Sequence, residues 1–191
     1  MVAIIESVLE MTMLKLAALA LAFAAPVVIA APASAADVKT LRCVEDGMSP
    51  AARASLASDM EKNLNNAGSE QSYSPETISA IQGAAKACQA KHGWSDEASQ
   101  ASILFTVAKL GWPTATRIGK SRGIDAKALQ RRVRALPAAQ REQGTTEEVL
   151  TVLATGAIEA KEINESNAAL GGAMLGLLAL QEKGYADFQK N

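Results

Sequence analysis

The sequence predicts an all-α fold: a compact bundle of about six helices that follows a cleaved N-terminal signal peptide and is stapled by one disulfide. Three observations carry this. Aromatic side chains make up only 4% of the chain while alanine recurs throughout, a composition that suits helices packed closely through small residues. No segment of strand length alternates apolar and polar residues, as a half-buried strand requires. Apolar residues instead recur at intervals of three and four behind Ser-Pro, Ser-Asp and Thr-Glu openings that supply helix N-caps.

The first element is the stretch Met11 to Ala35. Lys15 precedes the uncharged run Leu16 to Ala31, and Ala33-Ser34-Ala35 places small side chains one and three residues before a cut ahead of Ala36. These are the three parts of a secretory signal. The rival reading is a retained membrane anchor, which needs about 20 apolar residues to cross about 30 Å of hydrocarbon. Pro26 and the small-residue end favour cleavage, and no cysteine closes the run to carry a lipid. Residues 1–10 bear only Glu6 and Glu10, the wrong sign for the front of a signal, so translation is expected to start at Met11 or Met13.

Residues 36–191 then make a single helical domain, long enough for a real core, placed in the periplasm or outside the cell. Setting aside Lys15, Glu6 and Glu10 leaves 18 charges of each sign. That balance indicates neither a general polyanion binder nor an acidic tail. Cys43 and Cys88 are the only cysteines, and an even count in an oxidising compartment predicts a disulfide. By chain entropy the closed loop is worth about 4 kcal/mol. A redox-active pair would want the Cys-x-x-Cys spacing, which is absent.

Ser49-Pro50 opens the first helix, whose stripe is Leu56, Met60 and Leu64 and which ends near Asn65 to Gly68. Ser74-Pro75 repeats the opening, with Ile78, Ile81, Ala85 and Cys88 as the buried side of a helix that stops at Gly93. A third helix starts at Ser95, with Asp96 and Glu97 at its positive end. Its broad apolar set includes Ala101, Leu104, Phe105 and Ala108, and Gly111-Trp112-Pro113 is expected to end it.

The segment Thr114 to Leu136 reads as a short helix around Thr116 to Arg122, a break at Gly123, and a basic helix capped by Asp125 with Leu129, Val133 and Leu136 on its core side. Lys127, Arg131 and Arg134 share one face at helical spacing, with Arg132 adjacent. From Lys109 to Arg141 nine basic side chains meet one acid, Asp125, whereas Glu142 to Asn191 holds eight acids and three bases. The bland reading is an internal charge match with Glu159, Glu162 and Glu165. The functional one is a face for an anionic lipid, glycan or protein. Over residues 114–136 the pattern is similar in outline to the recognition unit of winged-helix regulators, which implies a second helix in the major groove. No aromatic stacks or strand pair follow it, and export argues against a chromosomal partner.

Thr146 starts the next helix, with Glu147 and Glu148 in its first turn and Val149, Leu150, Val152, Leu153, Ile158 and Ile163 giving a nearly all-round apolar segment. Glu159, Glu162 and Glu165 then recur every three residues as a solvated stripe rather than a metal site, since no histidine lies near. Ser166 or Asn167 is placed to cap the last helix. Its uncharged middle, Ala168 to Leu180, spans about 20 Å, too short to cross a bilayer. It is expected to form the buried spine, with Gly172 and Gly176 admitting a neighbouring backbone, Gly184 ending it, and Tyr185 and Phe188 folding back.

No cofactor, metal or catalytic residue is assigned. His92 is the sole histidine and sits at a helix end, where the dipole favours a capping role. Cys88-x-x-x-His92 offers only two ligands, too few for zinc. No phosphate-cradling glycine loop, HExxH or GxSxG occurs. The resulting expectation is an exported, non-enzymatic binding module that meets an anionic partner through the basic helix 126–136, using Lys127, Arg131, Arg132 and Arg134. The alternative is a helix-turn-helix DNA binder using residues 114–136, should the signal reading fail. A second alternative is a histidine-independent hydrolase built on a carboxylate pair that includes Asp96 or Glu97.

Overall fold

The computed structural model describes residues 35–191, so the readings of the signal stretch and of the translation start lie outside the described residues. Among those residues the secondary structure comprises eight α-helices, two short 3-10 helices and no strand. The helices are α1 (Cys43–Gly47), α2 (Pro50–Asn65), α3 (Pro75–His92), α4 (Asp96–Ser121), α5 (Ala126–Ala135), α6 (Ala138–Gln143), α7 (Glu147–Glu159) and α8 (Ala168–Lys190). Two more are present than the six or so expected, because α1 and α6 are too short to show a repeat in the sequence. None of the described helices is long and apolar enough to cross a membrane.

The expected caps are in place. Ser49, Ser74, Ser95, Asp125 and Thr146 each accept a hydrogen bond from a backbone N–H in the first turn that follows. Proline takes the first position of α2 and of α3, where a missing N–H costs nothing. Gly93 closes α3 in the left-handed region at φ 67°, as glycine commonly does after a helix. Leu56, Met60 and Leu64 are buried as their spacing predicts.

α4 corrects the sequence reading most. It runs on through Pro113 to Ser121 instead of ending at Leu110. Proline forfeits one hydrogen bond and crowds the preceding turn, but the following turns bury Thr114, Ala115, Ile118 and Gly119. Burying that face outweighs the local cost, and Pro113 itself stays exposed. What reads as a short helix around Thr116 to Arg122 is therefore the end of a long one.

α8 lies along α4 in the most extensive helix–helix contact of the fold and also touches α2, α5, α6 and α7. The pair is antiparallel: Gly184 faces Ala101 and Phe105, whereas Gly119 faces Met174 at the other end. A Cβ on Gly184 would stand 2.7 Å from the Phe105 backbone nitrogen and 2.8 Å from the Ala101 carbonyl oxygen. Gly184 therefore sits inside α8 and does not end it. Phe188 is fully buried one turn later, while Tyr185 is exposed. Gly172 and Gly176 have open space beside them, so the close approach expected there occurs at Gly184 instead. Ile78, expected on the buried side of α3, is about half exposed, as are Val152 and Ile158 of the apolar run in α7. Asn164 caps the 3-10 turn Glu165–Asn167 that leads into α8, and Asn167 makes no side-chain cap of its own there.

The part before α4 is fastened differently. Cys43 and Cys88 form the expected disulfide, Cα to Cα 5.9 Å, which pins α1 to α3. Two buried carboxylates add to it. Glu45 accepts from Lys109 Nζ at 2.6 Å and from Arg42 Nε at 3.2 Å. Asp59 Oδ2 accepts from the Ser74 hydroxyl at 2.7 Å, the Thr77 hydroxyl at 2.7 Å and the Ser74 backbone N–H at 2.9 Å. Trp94 bridges distant segments: its indole N–H donates to Thr40 Oγ1 at 3.0 Å, and its ring meets Phe188 edge-on at 5.0 Å.

Candidate functional site

α5 owes its amphipathic character to Ala126, Ala128, Leu129 and Val133, which are buried. Asp125 fixes its start by accepting from the Lys127 backbone N–H at 2.9 Å. With that face inward, Lys127, Arg131 and Arg134 are exposed together on the opposite side, as their spacing predicts.

The fourth candidate behaves differently. Arg132 turns toward α7 and pairs its Nε with Glu162 Oε2 at 2.7 Å, each side chain about one fifth exposed. Its guanidinium crosses α7 over Gly156, in space that any side chain there would occupy. Arg132 is thus committed to the fold. Arg131 lies 3.9 Å from Asp125 Oδ2 with both side chains mostly in solvent, a geometry worth little.

The positive charge of Lys109 to Arg141 is partly cancelled inside the molecule, at two pairs by the acidic stretch after Arg141 and at two by acids before α4. Lys109 pairs with Glu45, Arg117 with Glu61, Arg132 with Glu162 and Arg141 with Glu182. Lys120, Arg122, Lys127 and Arg134 have no carboxylate within 4.0 Å among the described residues. All four are exposed, and they cluster in sequence at the end of α4 and along α5. Of the expected acidic stripe only Glu162 meets the basic helix. α7 ends at Glu159, Glu162 lies in the turn beyond, and Glu165 lies in the 3-10 helix, so the three do not share one helical face.

The two carboxylates with shifted acidity are both structural. Burial pushes the Glu45 carboxyl up, but hydrogen bonds from Lys109 and Arg42 outweigh it and hold the group below the ordinary range. Burial acts the same way on Asp59 and is outweighed by hydrogen bonds from Thr77 and Ser74 with the Lys62 charge behind them. Asp96 and Glu97 are exposed in the first turn of α4, where Asp96 accepts from Gln89 Nε2 at 2.6 Å. Among the described residues no group of three His, Cys, Asp or Glu side chains is placed to hold a metal ion.

Two grooves accompany these charges. One of about 380 Å³ lies between α5 and α7, rimmed by Arg131 and Arg132 and floored by Leu136, Val152 and Leu153. A larger one of about 460 Å³ runs along the disulfide between α1 and α3. His92 stands at its edge, stacked on Trp94 at 5.6 Å and 22°. Sequence reasoning missed this second groove, because it exists only once the disulfide has joined segments far apart in the chain. The one available signal was the recurrence of Lys91 and His92 just after Cys88. No protein-family model, curated protein or solved structure matches the chain.

Proposed function

We infer that the protein is an exported, non-enzymatic binding module that engages an anionic lipid, glycan or protein through the exposed face of α5. One observation carries the reading: Lys127, Arg131 and Arg134 stand in solvent on one side of a helix whose opposite side is core, Lys127 and Arg134 with no carboxylate within 4.0 Å among the described residues and Arg131 with only the solvent-exposed Asp125 at 3.9 Å. The neighbouring Lys120 and Arg122 extend the same sign to the end of α4. A cationic face of this kind raises the local concentration of an anionic partner and speeds its capture. Export is supported by the Cys43–Cys88 bridge, which suits an oxidising compartment.

The test compares wild type with the doubly reversed Arg131→Glu/Arg134→Glu variant on a sulfated polysaccharide column and on vesicles containing an anionic lipid. Retention on at least one probe at low salt is expected, weakening with added salt and falling at least about tenfold in the variant. Failure to bind either probe, or equal binding by the variant, would overturn the reading. Preferential binding to duplex DNA would promote the helix-turn-helix alternative in its place.

A further inference from the structure

The disulfide is also the floor of the largest groove among those described, about 460 Å³, within the size range of small-molecule sites. Its base is apolar and made of small groups: the two half-cystines with Gly47, Ala84 and Ala87. Nothing of the described chain fills that space. Its rim is charged. Lys39 on one wall and Lys91 on the other are exposed, and neither has a carboxylate within 4.0 Å among the described residues. His92 adds a ring nitrogen, and Asp46 is the single acid of the lining.

Two ammonium groups against one carboxylate leave one net positive charge from these three side chains over an apolar floor. We propose that this groove binds a small monoanionic amphiphile, a carboxylate carrying a short alkyl chain. The chain lies on Ala84, Ala87 and the disulfide, removing their apolar surface from water. The headgroup meets Lys39 and Lys91. A covalent bridge between the walls holds the groove open before the ligand arrives, which lowers the ordering cost of binding. The site shares no residue with α5, so it stands or falls separately from the basic face.

The experiment is calorimetric titration of decanoate, below its micelle concentration, into the full chain recovered from an expressing host, with decanol and acetate as comparison ligands. Saturable one-to-one binding of decanoate is expected, with acetate and decanol each at least about tenfold weaker, one lacking the chain and the other the charge. Lys91→Glu removes the charge match and Ala87→Trp fills the groove. Both positions are exposed, so both variants should keep their unfolding midpoint while losing about tenfold or more in affinity. Arg131→Glu/Arg134→Glu should bind decanoate as wild type does. Absence of saturable binding, equal affinity for decanol, or unchanged affinity in both groove variants would overturn the proposal. So would loss of binding in the α5 variant alone.

Discussion

The part before α4 and the α4–α8 pair solve the same problem of closing a helix-rich core by opposite means. α1, α2 and α3 are tied by a disulfide, by the buried carboxylate of Asp59, and by Arg53, whose guanidinium donates to the carbonyls of Glu45 at 2.6 Å and Met48 at 3.2 Å, while the Glu45 carboxylate links α1 to Lys109 of α4. α4 and α8 are held by apolar contact, with Gly184 and Gly119 letting one helix come close to the other. α1, of five residues, buries too little to hold itself, so specific links stand in for area there. Long helices can rely on shape alone, at the cost of tolerating no added atoms where they touch.

The largest effect should come from breaking that shape. Gly184→Leu drives a side chain into the backbone of α4 and is expected to cost at least about 4 kcal/mol or to prevent folding. Gly172→Ala, on the same helix with open space beside it, should be neutral or stabilising by up to about 1 kcal/mol. Chemical denaturation of the pair is the check, and equal stabilities would refute the close approach. Next comes the covalent link. Cys43→Ser/Cys88→Ser opens a loop of 45 residues and should lower unfolding stability by about 4 kcal/mol. A loss under about 1 kcal/mol would mean that the non-covalent contacts hold α1 to α3 unaided.

The smallest of the three is Asp59→Ala, which strands the Ser74 and Thr77 hydroxyls and one backbone N–H, at about 3 kcal/mol. Asp59 and Glu45 both have their pKa held below the ordinary carboxylate value in the folded state. Their contribution is therefore complete above the unfolded values, about 4, and is lost as pH falls through the depressed folded ones. Thermal unfolding midpoints should be flat from neutral pH down to about 5 and fall below about 4. The fall should be shallower in Asp59→Asn, and an equally steep fall in that variant would remove Asp59 from the account.

How much was legible in the sequence follows the same division. The openings at Ser49, Ser74, Ser95, Asp125 and Thr146 and the stripe Leu56, Met60, Leu64 were readable because a cap and a helical period are local properties. The disulfide followed from an even cysteine count combined with the expected oxidising compartment. Pro113 misled because local propensity favours a stop there, and only the contact of the next two turns with the rest of the core reverses it. The run Ala168 to Leu180 is apolar all round, so it carries no periodicity to say which glycine faces a neighbour. Gly172 and Gly176 were the visible pair, whereas Gly184, among polar residues, was the one in contact. At the candidate site the shared face of Lys127, Arg131 and Arg134 was readable from spacing. The inward turn of Arg132 depends on Gly156 and Glu162, which lie in the chain far beyond α5.

That α8 completes the core also sets an order of events during synthesis. The apolar side of α4 is finished when Ser121 is made, but its principal partner arrives only with the last residues, up to Lys190. At about 5 to 20 residues per second, the nascent chain passes roughly 3 to 14 s without the surface that closes it. Throughout that interval the apolar face of α4 lacks its main partner and is exposed to aggregation.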